Sequence, residues 1–515
     1  MKSITIDGEH LTIEEIVAVA RRGVKVALAP EAYGSIDRAH KWVEEIVHQG
    51  DTVYGINTGF GVFAEQRIPF EDSAKLSRNL ILSHAVGTGE PLDKEVVRAA
   101  ILVRANTLAK GYSGVRVEIV ETLLALLNKN VTPVVPSQGS LGSSGDLGPL
   151  SHLALVFTTD PQDLEAESGL AFYEGQIVSG KEAMGRAGIE RVVLGAKEGL
   201  AINNGATFSA AIAAMAVYDA DTLLRAAEVS LAMTLEAVMG CLDAFDARLH
   251  AARGQKGQMQ VAESIRALTK DSSLIDGYGR VQDAYSLRCG PQVQGIGWDT
   301  ASFVRKIIEI EINAATDNPL LFDPGVAISG GNFHGEPVGL VMDYLGIALA
   351  EVASISERRT FRLTDGHLNA DLPPMLVDRL SAAGLNSGLM MPQYTAASLV
   401  LENQTLATPD SVHSLPTSAE QEDHNANSMT AARHARQIVT NTAHVLAIEL
   451  YTAARALDLR LRQQPETVLG RGTGEAFRRI RKVVAYQPGD AWWGPEIEQV
   501  RHLILNRTFE IADIH

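Results

Sequence analysis

The stretch Ala206–Phe245, ATFSAAIAAMAVYDADTLLRAAEVSLAMTLEAVMGCLDAF, decides the fold. It is rich in Ala and Leu and long enough for many helical turns, and its small residues let a neighbouring helix approach closely. Three more stretches share this character: Ala301–Ala315, Val338–Ser356 and Ser428–Leu461. Long helices packed side by side, a mainly α bundle, are the natural inference. A coiled coil fits less well, because no heptad with charged flanks is sustained. No internal repeat or low-complexity segment interrupts the pattern.

Composition agrees. Hydrophobic residues make up 46% of the 515 and aromatic ones only 5%, so Ala, Leu, Val and Ile fill the core. A length prior suggests roughly three domains, but no Ser/Gly- or Pro-rich linker separates them. Two regions are expected instead: 1–205, smaller and α-rich with the interrupted loops, and 206–515, with the long helices. A net charge of −17 argues against nucleic acid or an anionic membrane as partner. Two cysteines, Cys241 and Cys289, form neither a disulfide framework nor a CxxC metal pair, which suits a reducing cytoplasm. The N-terminal MKSITIDGEHLTIEEIV lacks the apolar run of an export signal. Val338–Val352 carries Asp343 and Glu351 and is too short or too charged for a bilayer.

Ahead of the bundle, Thr12 and Glu15 form a capping-box pattern that starts a short helix. Ser35 reads as a second cap, followed by Ile36, Ala39, Trp42, Val43, Ile46 and Val47 at helical spacing. Tyr54–Gly61, YGINTGFG, breaks the rhythm and reads as a loop able to take unusual backbone angles. Helical patterning resumes at Val97–Leu108 and Val117–Leu127. It stops again at Thr132–Pro149, where Pro133, Pro136, Gly139, Gly142, Gly145, Gly148 and Pro149 exclude a regular helix.

Inside that segment lies GSLGSSGDLGPLSH, Gly139–His152. It is not a phosphate cradle, because no Lys-Ser/Thr follows the glycines and no strand feeds a helix as required. A plain surface turn is one reading. The order Ser-Ser-Gly-Asp offers another. In a tight bend the Gly145 nitrogen can attack the Ser143 carbonyl, and loss of water from the ring and from the Ser144 side chain leaves an electrophilic methylene. Gly145 suits the compressed turn because it lacks Cβ, and Ser144 supplies the departing hydroxyl. Ser143 contributes only its carbonyl.

This segment resembles the histidine/phenylalanine/tyrosine ammonia-lyase family, in which an Ala-Ser-Gly triad cyclises to 4-methylideneimidazol-5-one (MIO). Ser143 stands where that family usually has Ala. Similar blocks run through the chain in the family's order: YGINTGFG, LSHAVGTGEPL (Leu82–Leu92), EGLAINNG (Glu198–Gly205), QDAYSLRCGPQ (Gln282–Gln292), SGGNFHGEPV (Ser329–Val338) and SLPTSAEQEDH (Ser414–His424). The resemblance implies an L-aspartase/fumarase-like long helical bundle with the MIO loop in the N-terminal region. It also implies a homotetramer whose active sites draw on three chains, a small-molecule amino acid substrate, and no metal or external cofactor.

Roles follow by resemblance. The electrophile captures the substrate amine and makes it a better leaving group. Tyr54 is the base, provided that neighbours lower its pKa. Arg288 anchors the substrate carboxylate bidentately, with Gln282 and Tyr285 beside it. Asn204 stabilises the ring carbonyl or the amine, and Phe333 lines the ring pocket. Asn203 sits where the family often has an apolar residue. Ser83-His84 resembles the histidine-specific pair, and His84 can hydrogen-bond an imidazole nitrogen.

Gln421–Met429 departs from the family pattern. Histidine enzymes usually read QEDHVSM and this chain reads QEDHNANSM, two residues longer. Aligned from the left, Glu422 is the carboxylate that binds imidazole. Aligned from the right, HNANS resembles the QNxNS run of phenylalanine enzymes, and His424 takes the substrate-facing place. On a helix, a shift of two turns a side chain by about 200°, so only one of them would face the pocket.

The expected activity is elimination of ammonia from L-histidine to give trans-urocanate. A tyrosine or phenylalanine ammonia-lyase and a 2,3-aminomutase are the alternatives. A catalytically silent member is a third, against which the presence of Tyr54, Ser144, Gly145 and Arg288 argues.

Overall fold

The computed structural model describes residues 3–50 and 52–511. The extreme ends of the two expected regions, 1–2 and 512–515, lie outside the described residues, as does the start of the segment read for an export signal. The protein is mainly α. Its longest helices are Thr207–Ala237, Gly290–Glu311, Glu336–Thr364 and Ser428–Gln463.

Each corresponds to one of the Ala/Leu-rich stretches, with instructive shifts at the ends. Thr207–Ala237 stops short of Phe245, and after Gly240 only a 3-10 turn at Asp243–Phe245 remains. Gly290–Glu311 begins well before Ala301, because Pro291 in the first turn removes an N–H that has no helical partner there anyway. The same physics corrects two other expectations. Ser35 is no cap: its helix starts at Pro30 and runs to Gln49, with Ser35 in the second turn. The Pro/Gly segment also yields to a helix at its end, Leu147–Phe157, with Pro149 in the first turn. The Thr12 capping box forms as expected, with the Glu15 N–H donating to Thr12 Oγ1 at 3.2 Å and the Thr12 N–H donating to Glu15 Oε2 at 3.0 Å.

The chain divides into two compact units. The first comprises 1–218, 305–343 and 409–433, and the second 219–304, 344–408 and 434–515. The three cuts after 218, 343 and 433 and the one before 305 all fall inside the four longest helices.

Within the first unit, shorter helices pack around Lys94–Ala109, which is buried almost throughout. All strands among the described residues lie in this unit, and none exceeds four residues. Ile4–Ile6 pairs parallel with Val26–Leu28, and Leu170–Tyr173 forms a hairpin with Gln176–Ser179. Ala39, Val43, Ile46, Ile56 and Leu321 form one hydrophobic cluster, which holds the Tyr54 loop against the Leu320–Phe322 strand.

Within the second unit, helices meet through small residues. A Cβ on Gly257 would lie 2.0 Å from the Gly295 carbonyl oxygen, so neither helix tolerates a side chain at that contact. Ala353, Ala396, Val400, Val445 and Ile448 form another apolar cluster. The helix Glu336–Thr364 is long and apolar enough to cross a membrane by length and composition alone, but 72% of its apolar window is buried inside the protein. It is a core helix that also carries Asp343 and Glu351.

Candidate active site

The Ser143-Ser144-Gly145 turn sits between two helix starts. Leu147–Phe157 begins just after it, and Thr207–Ala237 begins beside it, just past Gly205. Gly145 and Gly205 bridge as a pair, with the Gly205 N–H donating to the Ser144 carbonyl at 3.1 Å and the Asp146 N–H donating to the Gly205 carbonyl at 2.9 Å. Gly145 has φ +76°, and a Cβ there would lie 2.0 Å from the Gly205 carbonyl carbon. Alanine would therefore meet both strain and a backbone clash.

Asp146 explains why the turn is held. Its buried carboxylate accepts from the Ser209 N–H at 2.8 Å, the Ser209 hydroxyl at 2.9 Å and the Ser140 hydroxyl at 2.8 Å. It thus caps the start of Thr207–Ala237 from outside that helix, where a negative charge is favoured. Burial pushes its pKa up, and these hydrogen bonds work against the shift. Ser209 also meets the Ser428 hydroxyl at 2.9 Å, which brings a third helix start to the same place. Three positive helix ends converge behind the triad. Asp146 closes the Ser-Ser-Gly-Asp run, where sequence gives it no role, and Ser209 is a serine in an Ala-rich helix with no local signal at all.

Above the turn lie two adjoining hollows of about 640 and 570 Å³, sharing Tyr54, Gly61, Ser144, Leu200, Asn204 and Glu422. Phe333, His334, Asn318 and His424 line the first, while Ser83 and His84 line the second. Residues from six of the seven similar blocks, with Asn318 from outside them, therefore meet in one place.

Asn204 donates from Nδ2 to the Ser144 carbonyl at 3.0 Å, while its Oδ1 is buried without a partner among the described residues. Its own carbonyl accepts from the fully buried Arg104. Burial depresses the Arg104 guanidinium to about 10, opposed by the charge of Asp317. Asp317 is itself fully buried and paired with Lys197 at 2.6 Å. Asn203, which had no account from sequence, is a buried amide donating to Ser151 Oγ at 3.2 Å.

Glu422 reaches the triad directly. Its Oε2 accepts from the Ser143 hydroxyl and its Oε1 from the Ser144 hydroxyl, both at 3.0 Å. His84 Nδ1 lies 3.0 Å from Ser83 Oγ, and burial lowers its pKa, so the ring is neutral near pH 7. Tyr54 moves in the direction opposite to that required of a base. Burial raises its pKa, the Glu422 charge adds to this, and the Gly61 backbone N–H works against it.

The helical premise for choosing between Glu422 and His424 is overturned. Residues 421–427 are not helical; regular helix begins only at Ser428. Without a helix the rotation of about 200° does not apply, and both residues line the same hollow. Glu422 touches the triad, whereas His424 lies outward, exposed, with its ring stacked on His334 at 5.9 Å between centroids. The extra residues do structural work. The Asn427 N–H donates to the Leu141 carbonyl at 2.7 Å, and its side-chain amide donates to the Asp410 and His413 carbonyls.

Gln282, Tyr285 and Arg288 belong to the second unit. There Gln282 and Arg288 line a separate hollow with Gln258, Cys289 and Gln292. Arg288 stacks 4.4 Å from the Tyr285 ring centroid and donates from Nε to the Asp283 carbonyl at 2.8 Å. Tyr285 is 69% exposed.

A family profile described as aromatic amino acid lyase matches residues 11–482. The histidine ammonia-lyase of Caldanaerobacter subterraneus subsp. tengcongensis is 50% identical to this chain, over 94% of it and 93% of that protein. The crystal structure of histidine ammonia-lyase from Trypanosoma cruzi matches with a TM-score of 0.89 at 37% identity, covering 98% of this chain and 94% of that one. Tyrosine aminomutase from Streptomyces globisporus matches with a TM-score of 0.91 at 33% identity, covering 98% and 97%. One backbone thus serves both a lyase and a mutase.

Proposed function

Because the chain belongs to the aromatic amino acid lyase family and is a carbon–nitrogen lyase, we propose that it eliminates ammonia from L-histidine, releasing trans-urocanate. The observation that carries this reading is Glu422 at 3.0 Å from both triad hydroxyls, sharing a hollow with a neutral His84. A carboxylate accepts the imidazole N–H, and a neutral imidazole can donate to or accept from the other ring nitrogen. A pocket for a plain phenyl ring has no use for either group. The 50% identity with a histidine enzyme, against 33% with the tyrosine mutase, points the same way.

The triad would carry MIO, formed from Ser143, Ser144 and Gly145. When formed, that group supplies an electrophile for the substrate amine. Asn204, Gly205 and Asp146 hold the surrounding backbone, and the unpartnered Asn204 Oδ1 is an acceptor waiting beside the triad. Phe333 covers one wall. Tyr54 takes the β-hydrogen. Burial, with the Glu422 charge adding to it, favours its protonated phenol, so activation falls to a positive charge that arrives with the rest of the site.

Arg288 carries such a charge and anchors the substrate carboxylate, with Gln282 and Tyr285 beside it. These residues act in the site of a neighbouring copy within a homotetramer, which accords with the exposure of Tyr285. The two cysteines are free thiols, in keeping with a cytoplasmic enzyme.

Supplying L-histidine, L-tyrosine and L-phenylalanine separately and following the conjugated acrylate chromophore tests the substrate. Silence with histidine sinks the proposal, and a β-amino acid product replaces it with mutase chemistry. Intact mass checks the triad, which should be lighter by two waters.

A further inference from the structure

Ser143 departs from the family's alanine, and its side chain is not consumed when the triad cyclises, since only its carbonyl takes part. It is 93% buried, and its hydroxyl donates to Glu422 Oε2 at 3.0 Å. The other oxygen, Oε1, is held by the Ser144 hydroxyl, which must leave as water. Among the described residues the remaining side-chain donor is Thr417 Oγ1, also on Oε2, at the 3.5 Å limit of a hydrogen bond. The backbone of Glu422 is tied to Thr417 in both directions, at 2.8 and 3.2 Å, but those bonds leave its side-chain torsions free.

We propose that Ser143 is a positioning residue for substrate recognition: its hydroxyl pins Glu422 by Oε2 and leaves Oε1, vacated by Ser144, facing the cavity as an acceptor for the imidazole N–H. The inference rests on histidine being the substrate. Without the hydroxyl, Glu422 must be ordered by the ligand itself, and that cost falls on binding.

The test is Ser143→Ala beside Ser143→Thr, which keeps a hydroxyl. Ser143→Ala should still lose two waters by intact mass, because alanine offers the same carbonyl. Its KM for L-histidine and its Ki for trans-urocanate should rise by about three- to tenfold, the range for the net contribution of one ordinary hydrogen bond. The loss should fall on KM rather than kcat, and Ki for cinnamate, which has no ring N–H, should not move. Ser143→Thr should return both constants toward those of the unmodified chain. Unchanged KM and urocanate Ki in Ser143→Ala overturn the inference, as does an equal rise for cinnamate or a threonine variant that behaves like alanine. Failure of the unmodified chain to act on histidine is a different result, which overturns the substrate reading itself.

Discussion

Two glutamates, one in each unit, differ in how completely their carboxylates are engaged. Glu449 is wholly buried in the second unit. It accepts from Ser230 at 2.9 Å, Thr234 at 2.7 Å and Ser356 at 2.6 Å, and from Arg359 at 2.5 and 2.7 Å. Glu422 in the first unit is half-buried, with hydroxyls as its side-chain partners, one of which would leave in the proposed cyclisation. A carboxylate with every lone pair engaged and a cation beside it is locked. One held at a single edge has acceptor capacity left for a ligand. Burial alone would have ranked Glu449 as the more unusual group, and it is the unfinished one that marks the site.

Truncating the locked group should have the larger effect. Glu449→Ala leaves Arg359 buried with no carboxylate, which costs about 3–5 kcal/mol. Denaturant unfolding should show that loss, while the folded fraction still carries the two-water mass deficit at Ser143–Gly145. A change below about 1 kcal/mol would break the contrast.

Glu422→Gln should reverse the pattern. The amide keeps the volume and still accepts from Ser143 through its oxygen, so the unfolding midpoint stays put. It cannot offer a charged acceptor to imidazole, and kcat/KM for histidine should fall by about 100-fold, equivalent to about 2.7 kcal/mol. A stability loss matching that of Glu449→Ala would make Glu422 another structural carboxylate.

Much of the fold and of the Glu422 pocket was legible in the sequence, whereas nothing there singled out Glu449, and the limits have physical causes. Composition and helical patterning indicated the long helices, because an Ala/Leu stretch of that length has few other ways to bury itself. Helix starts were missed at Pro30 and Gly290, where proline in a first turn looks like a break and acts as a beginning. Motif blocks pointed to Tyr54, His84, Ser144, Asn204, Phe333, Glu422 and His424, which the fold gathers around one pair of hollows. Nothing local could reveal that Ser209, an ordinary serine, answers Asp146 from 63 residues away. The rotational argument over Glu422 and His424 failed because it assumed helix where the chain is irregular up to Asn427, which takes a left-handed φ of +48° just before the helix begins.

That last failure sets up the smallest expected effect. His424→Ala removes an exposed ring stacked on His334, yet the His334 Nε2 bond goes to the backbone carbonyl of residue 424 at 3.1 Å, and alanine keeps that carbonyl. Only the aromatic contact is lost, worth about 0.5–1.5 kcal/mol where such pairs are well packed and less at an exposed edge. Activity on histidine should therefore drop by no more than about threefold, with no change in the order of preference among histidine, tyrosine and phenylalanine. A collapse in His424→Ala comparable to that in Glu422→Gln would mean that the right-hand alignment describes the working pocket. The substrate would then be a phenol or another polar ring, and the carboxylate pinned by Ser143 would stand behind the site.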